Sequence, residues 1–178
     1  MYKRILLAYD GSVEGRTALR EGALLALCCR AQVFLLSVVV DTGGLRFAEG
    51  VQAGTFAQAE DAFVGVLQEG VARLRQLGFD PVARLVRGEP AEEIGAFAAE
   101  VGADLIVVGH QRQSTLARWW SGHSGAYLMD HTQCSLMVAR NFISDEAFKA
   151  ALLESGDMRS LSAAAPAVDR ANPKTPEA

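Results

Sequence analysis

The sequence predicts an α/β fold in which a parallel sheet is covered by helices on both faces, and three observations predict it. Short runs such as Ile5–Ala8, Val33–Val40 and Leu105–Val108 are apolar but for Ser37, with little of the in-out alternation of a half-exposed strand. Between them lie segments whose apolar residues recur at helical spacing. The two kinds alternate along the chain as β-α-β-α-β-α-β-α-β, the order of a doubly wound sheet. Right-handed crossovers follow for such connections. The residues alone leave the strand order open; an order of 3-2-1-4-5 would create a switch point between strands one and four.

The first strand, Ile5–Ala8, ends in the turn Asp10-Gly11-Ser12. Ser12 can cap the helix that follows over roughly 13–30, where Ala18, Leu19, Ala23, Leu24 and Leu27 mark the buried stripe. Val33–Val40 is the second strand. Residues 41–54 carry four glycines and little periodicity and read as a loop. A long amphipathic helix is expected over 57–77, with Ala59, Phe63, Val66, Leu67, Val71 and Leu74 inward and Gly78 as its C-cap. Val82–Val86 is the third strand. Pro90 suits the first position of a helix over 90–101 that buries Ile94, Phe97 and Val101 and stops at Gly102. Leu105–Val108 is the fourth strand. A loop of about a dozen residues, a short helix near 124–131 and a fifth strand, Leu136–Ala139, complete the pattern. We divide the chain into an α/β domain over 1–141, a short C-terminal helix over 142–155 capped by Ser144, and an Ala-, Ser- and Pro-rich tail over 156–178 expected to be disordered.

Composition narrows the function classes. The 178 residues are 50% hydrophobic and 21% charged, with a formal net charge of −4. That balance offers no general attraction to nucleic acid or to an anionic membrane. No apolar stretch is long enough to span a bilayer, and the amino-terminal residues lack a signal-peptide pattern, so the expected location is the cytoplasm. Cys28, Cys29 and Cys134 are an odd set without a C-x-x-C spacing, and we expect them reduced and mostly packed.

Ligands of open α/β sheets sit at the carboxyl ends of strands. Two such ends combine small and polar residues here: Ala8-Tyr9-Asp10 and Gly109-His110-Gln111-Arg112. The second loop returns through Ser121-Gly122-His123-Ser124-Gly125 into a helix start, whose exposed amides favour an anion. Asp10 would then accept a ribose hydroxyl. The same glycines and the same aspartate are equally what two turns and a helix cap require, and the residues alone leave both readings open.

Four segments carry a family resemblance. Lys3-Arg4-Ile5-Leu6-Leu7-Ala8-Tyr9-Asp10-Gly11-Ser12 resembles the first strand and turn of universal stress proteins. Gly88-Glu89-Pro90-Ala91-Glu92-Glu93-Ile94 is similar to that family's third-strand exit, and Ala103-Asp104-Leu105-Ile106-Val107-Val108-Gly109 to its fourth strand. His131-Thr132-Gln133-Cys134-Ser135-Leu136-Met137-Val138 resembles its run into the last strand. The resemblance covers residues 3–140. It implies a five-stranded sheet of order 3-2-1-4-5 and a homodimer through the last strand, Leu136–Ala139. It also implies adenosine contacts at Ala8, Asp10, Val38 and Gly109. ATP-binding members carry G-x2-G-x9-G-[ST] after strand four, which falls here on Gly109, Arg112, Gly122 and His123, followed by Ser124 and Gly125. Arg112 stands where a glycine allows close phosphate approach, and His123 where a small hydroxyl is usual. The expectation is retained adenosine recognition with altered phosphate handling, for AMP, ADP or ATP, and Mg²⁺ only alongside the nucleotide.

Other residues add little chemistry. Trp119-Trp120 reads first as an anchor for its loop and second as a lid. His110, His123 and His131 have no metal-site spacing. An acid/base pair of Asp10 and His110 is conceivable, but no nucleophile elbow, phosphate-loop lysine motif or G-x-G-x-x-G is present, and no catalytic residue is assigned. Three functions compete, in this order: a nucleotide-responsive binding module, a protein-interaction module of the same fold that binds no nucleotide and engages an unknown protein partner, and a slow ATPase.

Overall fold

The structure is a computed structural model that describes residues 1–40, 53–109, 128, 130–140, 143–144 and 146–154, with the side chains of 53–60 left aside. Five strands and three long helices alternate: β1 (Arg4–Ala8), α1 (Val13–Cys29), β2 (Gln32–Val40), α2 (Ala53–Gln76), β3 (Val82–Gly88), α3 (Pro90–Val101), β4 (Leu105–Gly109) and β5 (Ser135–Ala139). They form one parallel sheet of order β3-β2-β1-β4-β5. The order implied by the resemblance is therefore the order found, and β1 and β4 are neighbours at its centre.

The apolar strands are explained by burial on both sides. Along β1, Ile5 and Leu7 enter one core with Val33, Leu35, Leu105 and Val107, beneath α1 and α2. Leu6 enters the other with Phe34, Leu36, Ile106 and Val108, beneath α3 and Leu128. Each buried Leu or Ile contributes about 1.5–3 kcal/mol, which is why neither face tolerates a polar alternation. Among the described residues one polar side chain is fully buried, Ser37, and its hydroxyl donates to the Tyr9 carbonyl at 2.7 Å. That bond ties β2 to the chain just beyond β1.

The helix ends follow local chemistry. Ser12 is extended, and its Oγ accepts the Gly15 N–H at 2.8 Å, as the cap role requires. α1 and α3 both stop in a left-handed residue whose successor reaches back five residues, Ala31 N–H to Ala26 O and Ala103 N–H to Ala98 O. At α3 that residue is Gly102, which carries no Cβ penalty; at α1 it is Arg30, at φ 54°. The starts of β1 and β4 are pinned together by Asp104, whose carboxylate accepts the Lys3 and Arg4 N–H groups at 2.7 and 3.1 Å.

Several sequence expectations need correction. α2 starts at Ala53, so Ala53 and Gly54 belong to the helix and not to the loop; two weak positions in a first turn are outweighed by 24 residues that cover β2 and β3. β3 runs on to Gly88 because its pairing with β2 continues to Val40. In α1, Gly22 and Ala26 are buried while Leu24 is only half-buried. A Cβ on Gly22 would meet Leu7 of β1, and small residues let the helix approach the sheet that closely. Cys28 is exposed, not packed, because the 100° step from Cys29 turns it outward. None of the three cysteines is in a disulfide. The short helix near 124–131 is described only at Leu128, Asp130 and His131, all helical. The expected disordered tail over 156–178 lies outside the described residues.

Candidate functional site

β1 and β4 lie side by side, and α1, which follows β1, packs on one face of the sheet while Leu128, ahead of β5, packs on the other. This is the switch point at which open α/β sheets leave a crevice. A cleft is found there, lined by Ala8, Asp10, Ser12, Gly15, Ile94, Val108 and Gly109, with about 290 Å³ of empty space partly open to solvent. The enclosed part of that space is about 20 Å³, room for about one water, so the described walls frame the floor of an open crevice and not a closed ligand-sized cavity.

The polar wall is built from the turn after β1. Asp10 Oδ1 accepts the Ser12 backbone N–H at 3.0 Å and the Ser12 hydroxyl at 2.6 Å. The Ser12 hydroxyl in turn accepts the Gly15 N–H. The carboxylate thus stands over the first turn of α1, where the helix dipole favours a negative charge. A Cβ on Gly15 would run into Asp10 Oδ1, so this glycine makes the room the carboxylate occupies. Oδ2 takes no hydrogen bond among the described residues and remains available as an acceptor. Gly11 turns the chain at φ 74°, a left-handed conformation that favours glycine.

The opposite wall depends on Gly109. A Cβ there would lie 2.7 Å from both the carbonyl carbon and the carbonyl oxygen of Glu14 and 3.0 Å from the Gly15 nitrogen. These are backbone atoms that have no rotamer to change. The end of β4 and the first turn of α1 therefore touch main chain to main chain, and the cleft opens beside that junction. Ile94 and Val108 make the apolar floor; both are buried in the core beneath α3.

Beneath the turn, Tyr9 is 2% exposed and its hydroxyl has no hydrogen-bond partner of normal geometry among the described residues. Burial first, and the Glu69 charge second, push the Tyr9 phenol above its usual pKa, against an opposing pull from nearby Arg16. Arg16 and Arg73 both bind Glu69, at 3.1 and 2.8 Å, and join α1 to α2 across this corner. Hydrogen bonding from Arg16 leads in holding the Glu69 carboxyl below the usual range, with Arg73 adding to it. α2 also leans on the turn directly, since a Cβ on Gly70 would come within 2.9 Å of the Tyr9 ring.

The sequence-predicted residues divide into three groups. Ala8, Asp10 and Gly109 are brought together in the cleft. Val38 is half-buried on β2 in register with Val86 and packs against the same cluster as Ala8, Ile94 and Val108, outside the described lining. Arg112, Gly122, His123, Ser124 and Gly125 lie outside the described residues, as do His110, Trp119 and Trp120. Gly15, Ile94 and Val108 were not foreseen as lining. Their signals were ordinary core signals, a small residue one turn after a cap and two apolar residues at element ends, and only the packing assigns them to the crevice.

The described residues offer little else that is reactive. Among them no three His, Cys, Asp or Glu side chains gather to hold a metal. Burial, ahead of any other cause, raises the Cys134 thiol above its usual pKa, which lowers its thiolate fraction. Among them, too, no helix is long and apolar enough to cross a membrane.

Comparison with known proteins places this architecture. The universal stress protein family model matches residues 1–140. A curated relative, the universal stress protein A homolog of Haemophilus ducreyi, is 31% identical over 117 residues, which is 63% of this chain and 79% of the relative. A universal stress protein family structure from Burkholderia pseudomallei has a TM-score of 0.60 at 27% identity, covering 77% of this chain and 95% of that one. A universal stress protein in complex with cAMP gives 0.59 at 22% identity, covering 79% and 99%. One from Archaeoglobus fulgidus in complex with dAMP gives 0.55 at 20%, covering 78% and 98%. With the family model spanning all five strands, the strand order it implies found in the sheet and the crevice at its switch point, this chain belongs to the universal stress protein family.

Proposed function

We propose that the chain is an adenine-nucleotide-binding regulatory module that works as a homodimer. The observation that carries this reading is the cleft at the β1–β4 switch point, where the Asp10 carboxylate faces an apolar floor of Ala8, Ile94 and Val108. A free carboxylate oxygen suits a ribose hydroxyl, and an apolar floor suits the face of a base. Two structural neighbours are complexes with cAMP and dAMP. Asp10 and Gly109 hold the adenosine half in this reading. Gly122, Ser124 and Gly125 supply amides to the phosphate half, while Arg112 and His123 make it bulkier than in members with the full glycine motif. AMP is then preferred over ADP and ATP, and Mg²⁺ enters only with a polyphosphate. Nucleotide acts by ordering the Gln111–Ser121 loop, which changes the surface met by a protein partner in the cytoplasm. Binding rather than turnover is assigned because the sequence carries no nucleophile elbow, phosphate-loop lysine motif or G-x-G-x-x-G.

The dimer runs through β5. Its sequence Ser135-Leu136-Met137-Val138-Ala139 has no charge and no proline, and Leu136, Met137 and Val138 are only half-buried at the open edge. The opposite edge, β3, carries Arg84 and Arg87, and Arg84 is joined to Glu100. Edge strands that avoid pairing are guarded by such charges; β3 is guarded and β5 is not.

The phosphate half is tested by changing Arg112→Gly and His123→Ser together. ATP affinity relative to AMP is expected to rise by about tenfold or more, because glycine lets the backbone approach the phosphates and serine replaces an imidazole with a small hydroxyl, as read by calorimetric titration. An unchanged ratio in a folded double variant would show that these two residues do not set phosphate preference.

A further inference from the structure

The family match ends at residue 140, and the chain beyond it is built into the fold at a telling place. Ala139, the last residue of β5, pairs with Gly109 at the cleft end of the sheet. Four residues later, the Ile143 carbonyl accepts a hydrogen bond from Arg20 Nη1 of α1 at 3.0 Å. Ser144 then caps a helix over 146–154, its Oγ accepting the Ala147 N–H at 3.2 Å and its carbonyl the Phe148 N–H at 2.9 Å. The Arg20 guanidinium lies over the Phe148 ring, 5.5 Å from its centroid. Phe148, Ala151 and Leu152 are half-buried at helical spacing, whereas Leu153 is 74% exposed.

The segment therefore starts on β5 and fastens to α1. Gly109 of β4, beside β5, touches the first turn of α1 at Glu14 and Gly15, and the cleft opens at that contact. Of the two elements that the segment ties, α1 lines the cleft through Gly15, and β5 pairs with β4, which lines it through Val108 and Gly109. We propose that residues 143–144 and the helix over 146–154 act as a strap that clamps α1 against the end of β4 and keeps the cleft in its ligand-binding form. Arg20 is the buckle, as it grips both the main chain at Ile143 and the ring at Phe148. Linkage makes the effect reciprocal: a ligand that favours the clamped junction also favours the docked strap. That coupling to ligand rests on the nucleotide reading above; the clamp itself does not.

The test uses the full chain with Phe148→Ala and, separately, Arg20→Ala, followed by amide hydrogen exchange and AMP titration. Phe148 lies outside α1, so its variant reads the strap without altering the helix it is said to hold. In both variants the amides of residues 13–16 are expected to exchange on the order of tenfold faster as local opening becomes easier, and AMP binding is expected to weaken severalfold. Faster exchange confined to residues 146–154, with 13–16 at the wild-type rate, overturns the clamp. Unchanged AMP affinity in both variants overturns its coupling to the cleft. A wild-type chain that binds no AMP refutes the nucleotide reading, and the exchange rates of residues 13–16 still decide the strap.

Discussion

Replacing Gly109 with alanine is expected to lower the melting temperature by on the order of 5–10 °C, since forcing a methyl group into a packed contact costs about 1–3 kcal/mol. The added Cβ would stand 2.7 Å from two backbone atoms of Glu14. A side chain in its way would turn aside, but main chain in the first turn of α1 moves only if the helix moves. Shifting α1 disturbs Ala18, Leu19, Ala23 and Ala26 against the sheet, and it opens the cleft wall at Gly15. Gly109→Val should cost more than Gly109→Ala. By contrast Gly65→Ala, where a Cβ would meet nothing within 4 Å, should not destabilise and removes a helical glycine. Thermal unfolding followed by circular dichroism ranks the three. A melting temperature for Gly109→Ala equal to wild type would mean that β4 and α1 do not meet as described.

Asp10 carries the second large effect. Asp10→Ala is expected to weaken AMP binding by roughly tenfold to a hundredfold, the loss of one hydrogen bond to a charged group. It also strips the Ser12 N–H and hydroxyl of their shared acceptor, so stability falls by about 1–2 kcal/mol. Asp10→Asn separates the two roles. An amide oxygen can still accept from Ser12, so most of the stability should return, whereas the charge that favours a ribose hydroxyl is gone and binding stays weak. If Asp10→Asn binds AMP as the wild type does, the carboxylate is a turn former and not a ligand contact.

The fold was legible because its strands are buried on both sides. Continuous runs such as Leu105-Ile106-Val107-Val108 have no amphipathic explanation and call for a covered parallel strand. Element ends were legible where chemistry marks them, at Ser12, Pro90 and Gly102. They were misjudged where pairing or packing decides, as at Ala53 and Gly88. The site was half legible. Asp10 and Gly109 stand out as a carboxylate and a glycine at strand ends, but Gly109 earns its place through contact with Glu14, which no local pattern shows. Val38 came with the resemblance alone; it stands half-buried on β2, the strand beside β1, against the cluster that also holds Ile94 and Val108. Ile94 was foreseen as core, and it is core; its second role follows from where α3 starts relative to β1 and β4. The strap contacts of Arg20 join residues 123 positions apart, beyond the reach of any periodicity.

The most direct test of the central claim is isothermal titration of AMP into the wild-type chain, at low millimolar nucleotide and without Mg²⁺. The cleft as described predicts saturable binding at one site per chain, with a dissociation constant below about 1 mM, equivalent to roughly 4 kcal/mol. Heats no larger than dilution across that range would contradict the account, and would leave the β5 edge and the protein-interaction reading as the function of this fold.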